Sequence, residues 1–330
     1  MTLEISVIGA GGWGTTLGNL QAKKGFKVKI WCYEKKTAED ININHQNHQF
    51  LPGVPLSEDL IAYTDFNDVV PDADVIIFAV PSGYLRSVAN QIKSYFLNNK
   101  DYKLISVAKG LEHETFKLMT EVLREILPNN IKIAALSGPN HAEEVSRDMP
   151  TATVIASIHE EILDELVEFF RTDYFRPYSE KDERGIQICG AVKNITAMAV
   201  GVGDGLGLGD NAKASIMTLG LAEMYRIGKH FGCERRTIFG IAGVGDLIAT
   251  CSSKHSRNRF FGEKLAEGKS LEQIKEELHG MMAEGVWAVE SVYHFAQEHN
   301  LDLPLTNQFY KVLYENKKMS EAITDLLALI

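Results

Sequence analysis

The sequence predicts an α/β protein, in which a Rossmann-type, doubly wound and mostly parallel sheet is followed by an all-helical C-terminal domain. Two observations predict this. Through the first half, short apolar runs typical of buried strands alternate with amphipathic helical segments. From about residue 186 onward, apolar residues recur at helical spacing with almost no strand signal. The length, 330 residues, suits two domains, which we place at 1–187 and 188–330.

The first predicted element is a strand that ends in a glycine-rich turn. The apolar run over 5–8 leads into Gly9-Ala10-Gly11-Gly12-Trp13-Gly14. This matches the Gly-x-Gly-x-x-Gly fingerprint of dinucleotide binding, with Gly9, Gly11 and Gly14 in the three glycine positions. Glycine there permits a tight turn, a close approach to pyrophosphate and close packing of the helix on the strand. The start of that helix then offers its N–H groups to the phosphates.

A second strand is predicted over 26–33, and it ends at Glu34. A carboxylate at this distance from the glycine loop is expected to meet the adenosine ribose, which favours NAD. Lys35 and Lys36 follow and leave NADP possible, because either can receive a 2′-phosphate. The alternative, a glycine turn that binds nothing, is disfavoured because strand, helix, second strand and acid occur together.

Four further strands are predicted, at 74–80, 103–108, 131–136 and 151–156, with an additional strand over 174–178. Pro81 stops the first of these, and Ser82 is a candidate N-cap for the next helix. The polar segment 37–72 gives no clear element. Ligands of such sheets bind beyond the carboxyl ends of the strands, so we expect one crevice lined by the segments found there. Those segments are Gly9–Gly14, Pro81-Ser82, Lys109 and Gly138–Asn140.

The second half is predicted to be helical. One helix covers 188–202, and Asn211 is the expected N-cap of a long helix that ends near Gly232. Later helices are predicted over 271–278, 286–298, 305–314 and 320–329.

Composition excludes several function classes. A net charge of -10 argues against generic nucleic-acid binding, which needs a basic surface. The four cysteines and the histidines show no metal-ligand spacing, so we expect no metal. We expect no signal peptide and no uncharged apolar stretch long enough to span a membrane. The sequence therefore predicts a soluble, cytoplasmic protein.

Lys193 and Asp246 are unusual for their surroundings. Lys193 lies in a small and apolar helical stretch, and lysine is rarely buried unless it is paired or functional. Burial lowers a lysine pKa toward neutrality, where the group can transfer protons. Asp246 lies among glycines and apolar residues and needs a partner if it is buried. The alternatives are structural roles: Lys193 as a lysine at a helix edge whose amine reaches solvent, and Asp246 as the N-cap of a helix.

Ser256-Arg257-Asn258-Arg259 combines an arginine fork with neutral donors, which suits a phosphate. Lys109, at a strand end, is placed to reach a phosphate or a carbonyl. The alternatives are an exposed loop arginine and a surface lysine.

Seven separated blocks share one order with a known family. They are Gly9–Thr15, Ala79–Ser82, Lys109–Leu111, Ser137–Asn140, Lys193-Asn194, Gly245–Leu247 and Ser256–Arg259. With these blocks the chain resembles the soluble bacterial NAD(P)-dependent glycerol-3-phosphate dehydrogenases over residues 5 to about 290.

The resemblance implies reversible reduction of dihydroxyacetone phosphate to sn-glycerol 3-phosphate, a precursor of glycerophospholipids, by a homodimer. It implies that domain 1–187 binds NAD(P) and that domain 188–330 carries catalysis, with Lys193 as general acid/base and Asp246 and Asn194 beside it. The implied substrate contacts are Lys109, Gly138, Asn140, Lys193, Asp246, Thr250, Ser256, Arg257 and Asn258. The implied cofactor contacts are Gly9, Gly11, Gly12, Trp13, Gly14, Glu34, Pro81, Lys109, Ala142, Arg257 and Glu284.

Two positions depart from the family pattern. Many bacterial members carry a basic residue in place of Glu34, and phenylalanine is usual in place of His141. Two other functions are kept as alternatives. One is a related lysine-dependent dehydrogenase that acts on a sugar acid or ketopantoate. The other is an NAD-binding sensor without turnover, which would not need Lys193 or Asp246.

Overall fold

The computed structural model describes residues 3–97, 100–113, 115–278 and 283–328, and the chain divides into two compact units. The first unit comprises Met1–Ala108 and Met119–Glu183, and the second comprises Lys109–Leu118 and Arg184–Ile330. This division differs from the expected one at 187 and 188. Residues Lys109–Leu118 belong to the second unit although residues of the first unit lie on both sides of them in the sequence. Residues 184–187 also belong to the second unit, because they are part of the long helix that begins at Glu183.

The described residues of the first unit contain a sheet with the strand order β3-β2-β1-β4-β5-β6-β7-β8. Neighbouring strands are parallel except β6 and β7, which confirms the predicted doubly wound, mostly parallel sheet. β1 and β4, at its centre, are buried at every position, as expected when helices cover both faces. The strands are β1 Ile5–Ile8, β2 Val28–Trp31, β3 Leu60–Tyr63, β4 Val75–Phe78, β5 Lys103–Ser106, β6 Lys132–Ser137, β7 Thr151–Ala156 and β8 Phe175–Glu180.

Seven α-helices are described between these strands, together with 3₁₀ turns at Lys93–Phe96 and Glu160–Ile162. Pro81, not Ser82, occupies the N-cap position of the helix after β4, and no side chain caps that helix. The helices are α1 Gly12–Lys23, α2 Lys35–Asn44, α3 Phe66–Val69, α4 Ser82–Ile92, α5 Met119–Ile126, α6 Ala142–Val145 and α7 Leu163–Phe170.

The segment 37–72, which gave no clear element, contains most of α2 together with β3 and α3. β3 pairs with β2 at the edge of the sheet, and alternate residues such as Ile61 face outward. β3 is the short run Leu60–Tyr63 inside an otherwise polar segment, and four residues are too few to show the alternation by which such a strand is recognised.

The described part of the second unit is helical, apart from an isolated bridge between Leu111 and Leu118. Leu208, not Asn211, is the N-cap of the second long helix, which begins at Gly209. Leu329, the predicted end of the last helix, lies outside the described residues. The helices are α8 Glu183–Gly205, α9 Gly209–His230, α10 Arg235–Ile238, α11 Asp246–Ser252, α12 Arg257–Ala266, α13 Leu271–Glu277, α14 Glu284–His299, α15 Pro304–Tyr314 and α16 Met319–Leu327, with a π-helical turn at Ile241–Gly245.

Helix α8 is the central helix of this unit. Among the described residues it alone is long and apolar enough to cross a membrane, but that whole apolar stretch is buried within the fold. Its composition therefore matches its place in a protein core, and this position makes Lys193 a buried lysine.

Candidate active site

The glycine loop joins β1 to α1 and depends on glycine at two positions. Gly9 has φ +114°, and a Cβ there would lie 2.8 Å from the carbonyl oxygen of Ala79, beside the end of β4. A Cβ on Gly14 would lie 2.0 Å from the carbonyl oxygen of Gly9. Any larger residue would force α1 away from the strand.

The same loop leaves room for a ligand beside Gly11. A Cβ on Gly11 would meet nothing within 4 Å, and no side chain caps the start of α1, which begins at Gly12. The indole Nε1 of Trp13 is buried and has no hydrogen-bond partner among the described residues. The open space at the start of α1 fits the pyrophosphate of a dinucleotide, and the unpartnered indole N–H of Trp13 is a further donor for such a ligand.

Other predicted residues of the first unit lie at strand ends. Gly138 follows β6 with φ +132°, and Asn140 donates a 2.9 Å hydrogen bond to Thr153 Oγ1. The Asn140 amide oxygen is buried without a partner among the described residues. Ala142 begins α6, after His141 at the N-cap, and its carbonyl accepts a 3.4 Å hydrogen bond from Thr16 on α1.

The three residues that bear on cofactor choice are adjacent and exposed. Glu34 is the N-cap of α2, and Lys35 and Lys36 form its first turn. Lys35 pairs with Glu39 at 3.5 Å. One acidic and two basic side chains therefore follow one another directly after β2, at the start of α2.

The second unit holds a buried cluster around Asp246, whose side chain is 2% exposed. Lys193 donates to one carboxylate oxygen of Asp246, and its Nζ lies 2.5 Å from Thr250 Oγ1. Lys109 donates to the other carboxylate oxygen at 2.8 Å. Asp246 and Thr250 are four residues apart on α11, so they face the same way. Two ammonium groups thus share one carboxylate.

Burial lowers the pKa of Lys193, the charge of Asp246 opposes this shift, and the positive charge of Lys109 adds to it; the net result is a pKa of about 8. Burial alone would raise the pKa of Asp246, but Lys109 and Lys193 outweigh it and hold the pKa below its usual range. Asp246 is therefore ionised at neutral pH, and Lys193 is placed to exchange a proton near that pH.

A second group of residues lies at the start of α12. The Asn258 amide donates to the Asn194 side-chain oxygen at 2.9 Å and accepts from the Gly285 backbone N–H at 2.8 Å. Ser256 is the N-cap, its hydroxyl accepting from the Arg259 N–H at 3.2 Å. Arg257, the first helical residue, has an exposed side chain. The start of α12 therefore presents a guanidinium and amide donors, a suitable set for an anion.

Glu284 begins α14 and is partly exposed. Burial raises its pKa, and the charge of Arg257 opposes that shift. The Asn194 amide nitrogen is buried without a partner among the described residues, so it retains an unused donor.

In the second unit the structure joins Lys109, Lys193, Asp246 and Thr250 in one cluster and pairs Asn194 with Asn258. In the first unit it places Ala142 against the start of α1. Asn194, Thr250 and Glu284 were assigned only through the resemblance, and the i, i+4 spacing of Asp246 and Thr250 is the one local signal for them. Thr153, which orients Asn140, was missed because no local pattern joins β7 to the end of β6.

Comparisons with known proteins cover almost the whole chain. Residues 4–163 match the family description "NAD-dependent glycerol-3-phosphate dehydrogenase N-terminus", and residues 182–324 match the corresponding C-terminus. The chain belongs to this family. A relative named glycerol-3-phosphate dehydrogenase [NAD(P)+] from Chlorobium limicola is 42% identical over 98% of this chain and 97% of its own length.

Solved structures agree with this assignment. The crystal structure of glycerol-3-phosphate dehydrogenase from Coxiella burnetii has a TM-score of 0.94 and 36% identity, and covers 99% of both chains. That from Saccharomyces cerevisiae has a TM-score of 0.82 and 32% identity, again over 99% of both chains. Membership in the family confirms the predicted fold class and an NAD(P)-dependent dehydrogenase.

Proposed function

We propose that this enzyme catalyses the reversible reduction of dihydroxyacetone phosphate to sn-glycerol 3-phosphate with NADH or NADPH. The observation that carries the proposal is the buried cluster of Lys193, Asp246 and Thr250, with Lys109 on the same carboxylate. A sensor that only binds nucleotide has no use for a buried lysine whose pKa is lowered to about 8.

The first unit is proposed to bind the dinucleotide, and the cofactor supplies the hydride. The glycine loop holds the pyrophosphate on the start of α1, with Trp13, Pro81 and Ala142 as further contacts. The remaining proposed contacts of the cofactor are Gly9, Gly11, Gly12, Gly14, Glu34, Lys109, Arg257 and Glu284.

In the second unit, Lys193 is proposed to donate a proton to the C2 oxygen during reduction and to remove it during oxidation. Its pKa of about 8 suits both directions. Asp246 orients the ammonium, and the amide nitrogen of Asn194, the next residue in the chain, has no partner among the described residues. Positive charge already in place at the carbonyl oxygen stabilises the negative charge that develops there.

The phosphate of the substrate is proposed to bind at the start of α12, on Ser256, Arg257 and Asn258. Binding energy from this unreactive end holds the carbonyl in position for reaction. The other proposed substrate contacts are Lys109, Gly138, Asn140, Lys193, Asp246 and Thr250.

We infer that NAD is preferred over NADP, because Glu34 can accept a hydrogen bond from a free ribose hydroxyl and repels a 2′-phosphate. Lys35 and Lys36 reduce this preference, since both lie beside Glu34. We also infer, from the resemblance, a homodimer that works in the cytoplasm. Sedimentation of the purified protein and fractionation of cells test those two points.

The alternative substrates, a sugar acid or ketopantoate, carry a carboxylate in place of the phosphate. The family assignment and the block Ser256–Asn258 both favour the phosphate. Purified enzyme with dihydroxyacetone phosphate should therefore oxidise NADH, monitored by absorbance, and the product should be sn-glycerol 3-phosphate. Ketopantoate is the matched control and should give no more than background. Absence of oxidation with both NADH and NADPH would refute the proposal.

A further inference from the structure

Charged side chains join the first turn of α12 to the end of α8. Arg259 directs Nε and one terminal nitrogen to the same oxygen of Asp204, each at 2.6 Å. Lys213, on α9, pairs with the other oxygen of Asp204. The Asp204 and Arg259 side chains are only 11% and 17% exposed, so solvent screens this pair little.

The backbones of α8 and α12 also touch, because glycine occurs on both helices. A Cβ on Gly201 would lie 1.9 Å from the carbonyl oxygen of Arg259. A Cβ on Gly262 would lie 2.0 Å from the carbonyl oxygen of Met198. Only glycine permits so close an approach, so the position of α12 along α8 is closely defined.

These two helices carry the two ends of the proposed substrate site. Lys193 lies in α8, and Arg257 begins α12. Arg257 and Arg259 are two residues apart, which places them about 200° apart around the helix. The Arg259 side chain is directed to Asp204 on α8, so any effect of Arg259 on Arg257 passes through the backbone of α12.

We propose that the pair Asp204–Arg259 positions the start of α12 along α8 and so sets the spacing between Lys193 and Arg257. This rests on the proposed function, in which Lys193 meets the carbonyl and Arg257 the phosphate of one substrate. The spacing then selects ketones whose phosphate is borne on the carbon next to the carbonyl. Asp204 and Arg259 are proposed as positioning residues, since their side chains pair with each other and not with the proposed substrate contacts.

Two substitutions distinguish a role in positioning α12 from the mere neutralisation of the Asp204 carboxylate. Arg259→Met and Lys213→Met each remove one cation from Asp204 and leave it the other, so the carboxylate stays paired in both variants. Only Arg259 belongs to α12. The purified variants are compared in KM for dihydroxyacetone phosphate, kcat, Kd for NADH and Tm.

For Arg259→Met we expect KM to rise by about tenfold or more, with kcat within about threefold of wild type, because a misplaced anchor weakens binding of the phosphate. The Kd for NADH should change by less than about threefold, because Arg257 is one of many proposed contacts of the cofactor. For Lys213→Met we expect KM within about twofold of wild type, since the start of α12 keeps its tether.

An unchanged KM in Arg259→Met, or an equal rise in both variants, would refute the positioning role. If Arg259→Met does not fold, Arg259→Lys gives the same test, because lysine keeps the charge but lacks the planar fork. A different result would refute the proposed function: a wild-type enzyme that does not reduce dihydroxyacetone phosphate.

Discussion

The two units build their candidate sites in opposite ways. The first uses backbone, namely a glycine turn, a helix start and an open space beside Gly11. The second uses side chains, with Lys109 and Lys193 both paired to Asp246 inside the protein. A backbone cradle binds a group that many enzymes share, whereas a buried ion cluster sets the protonation state that one reaction needs.

The largest effect is expected from the side-chain site. Lys193→Ala should lower kcat by about 100- to 10,000-fold, because the proton donor is lost, while the Kd for NADH stays near that of wild type. Stopped-flow turnover and fluorescence titration measure the two quantities. Lys275→Ala, which removes an exposed lysine of the same unit, is the matched control. Turnover of Lys193→Ala within a few-fold of wild type would contradict the assigned role.

Substitution in the glycine loop of the first unit should instead weaken the binding of NADH. Gly11→Ala should raise the Kd for NADH by about tenfold, since the new methyl group occupies the space left for pyrophosphate. Gly11 has φ -66°, which alanine adopts without strain, so Tm should stay the same. Gly14→Ala should instead lower Tm, because its methyl group would overlap the Gly9 carbonyl. Equal effects of the two substitutions on Tm would show that the space beside Gly11 is not free.

These two sites also differ in how well the sequence predicted them. The glycine loop lies within six consecutive residues and follows a recognisable strand, so a local pattern suffices. Lys193 and Asp246 are 53 residues apart, and the sequence alone also allowed each a purely structural role until the fold showed that they are paired. The pair Asp204–Arg259 gave no signal, because it joins the ends of separate helices. β3 was missed because its four residues, Leu60–Tyr63, are too few to show an alternating pattern within a polar segment.

A smaller effect is expected at the edge of the backbone site. Glu34→Arg should shift the ratio of kcat/KM for NADPH over NADH by about tenfold toward NADPH, because it removes a repulsion and supplies a partner for the 2′-phosphate. Glu58→Arg makes the same charge change at another exposed position of the first unit and should leave the ratio unchanged. An unchanged ratio in Glu34→Arg would mean that Glu34 does not face the ribose.

The central claim, that a buried lysine with a pKa of about 8 transfers the proton, is tested most directly by the pH dependence of the wild-type enzyme. Reduction needs protonated Lys193, so kcat/KM for dihydroxyacetone phosphate should fall as pH rises through about 8. Oxidation of sn-glycerol 3-phosphate needs the neutral amine, so its kcat/KM should rise over the same range. Rates of both directions that do not change between about pH 7 and about pH 10 would contradict the account.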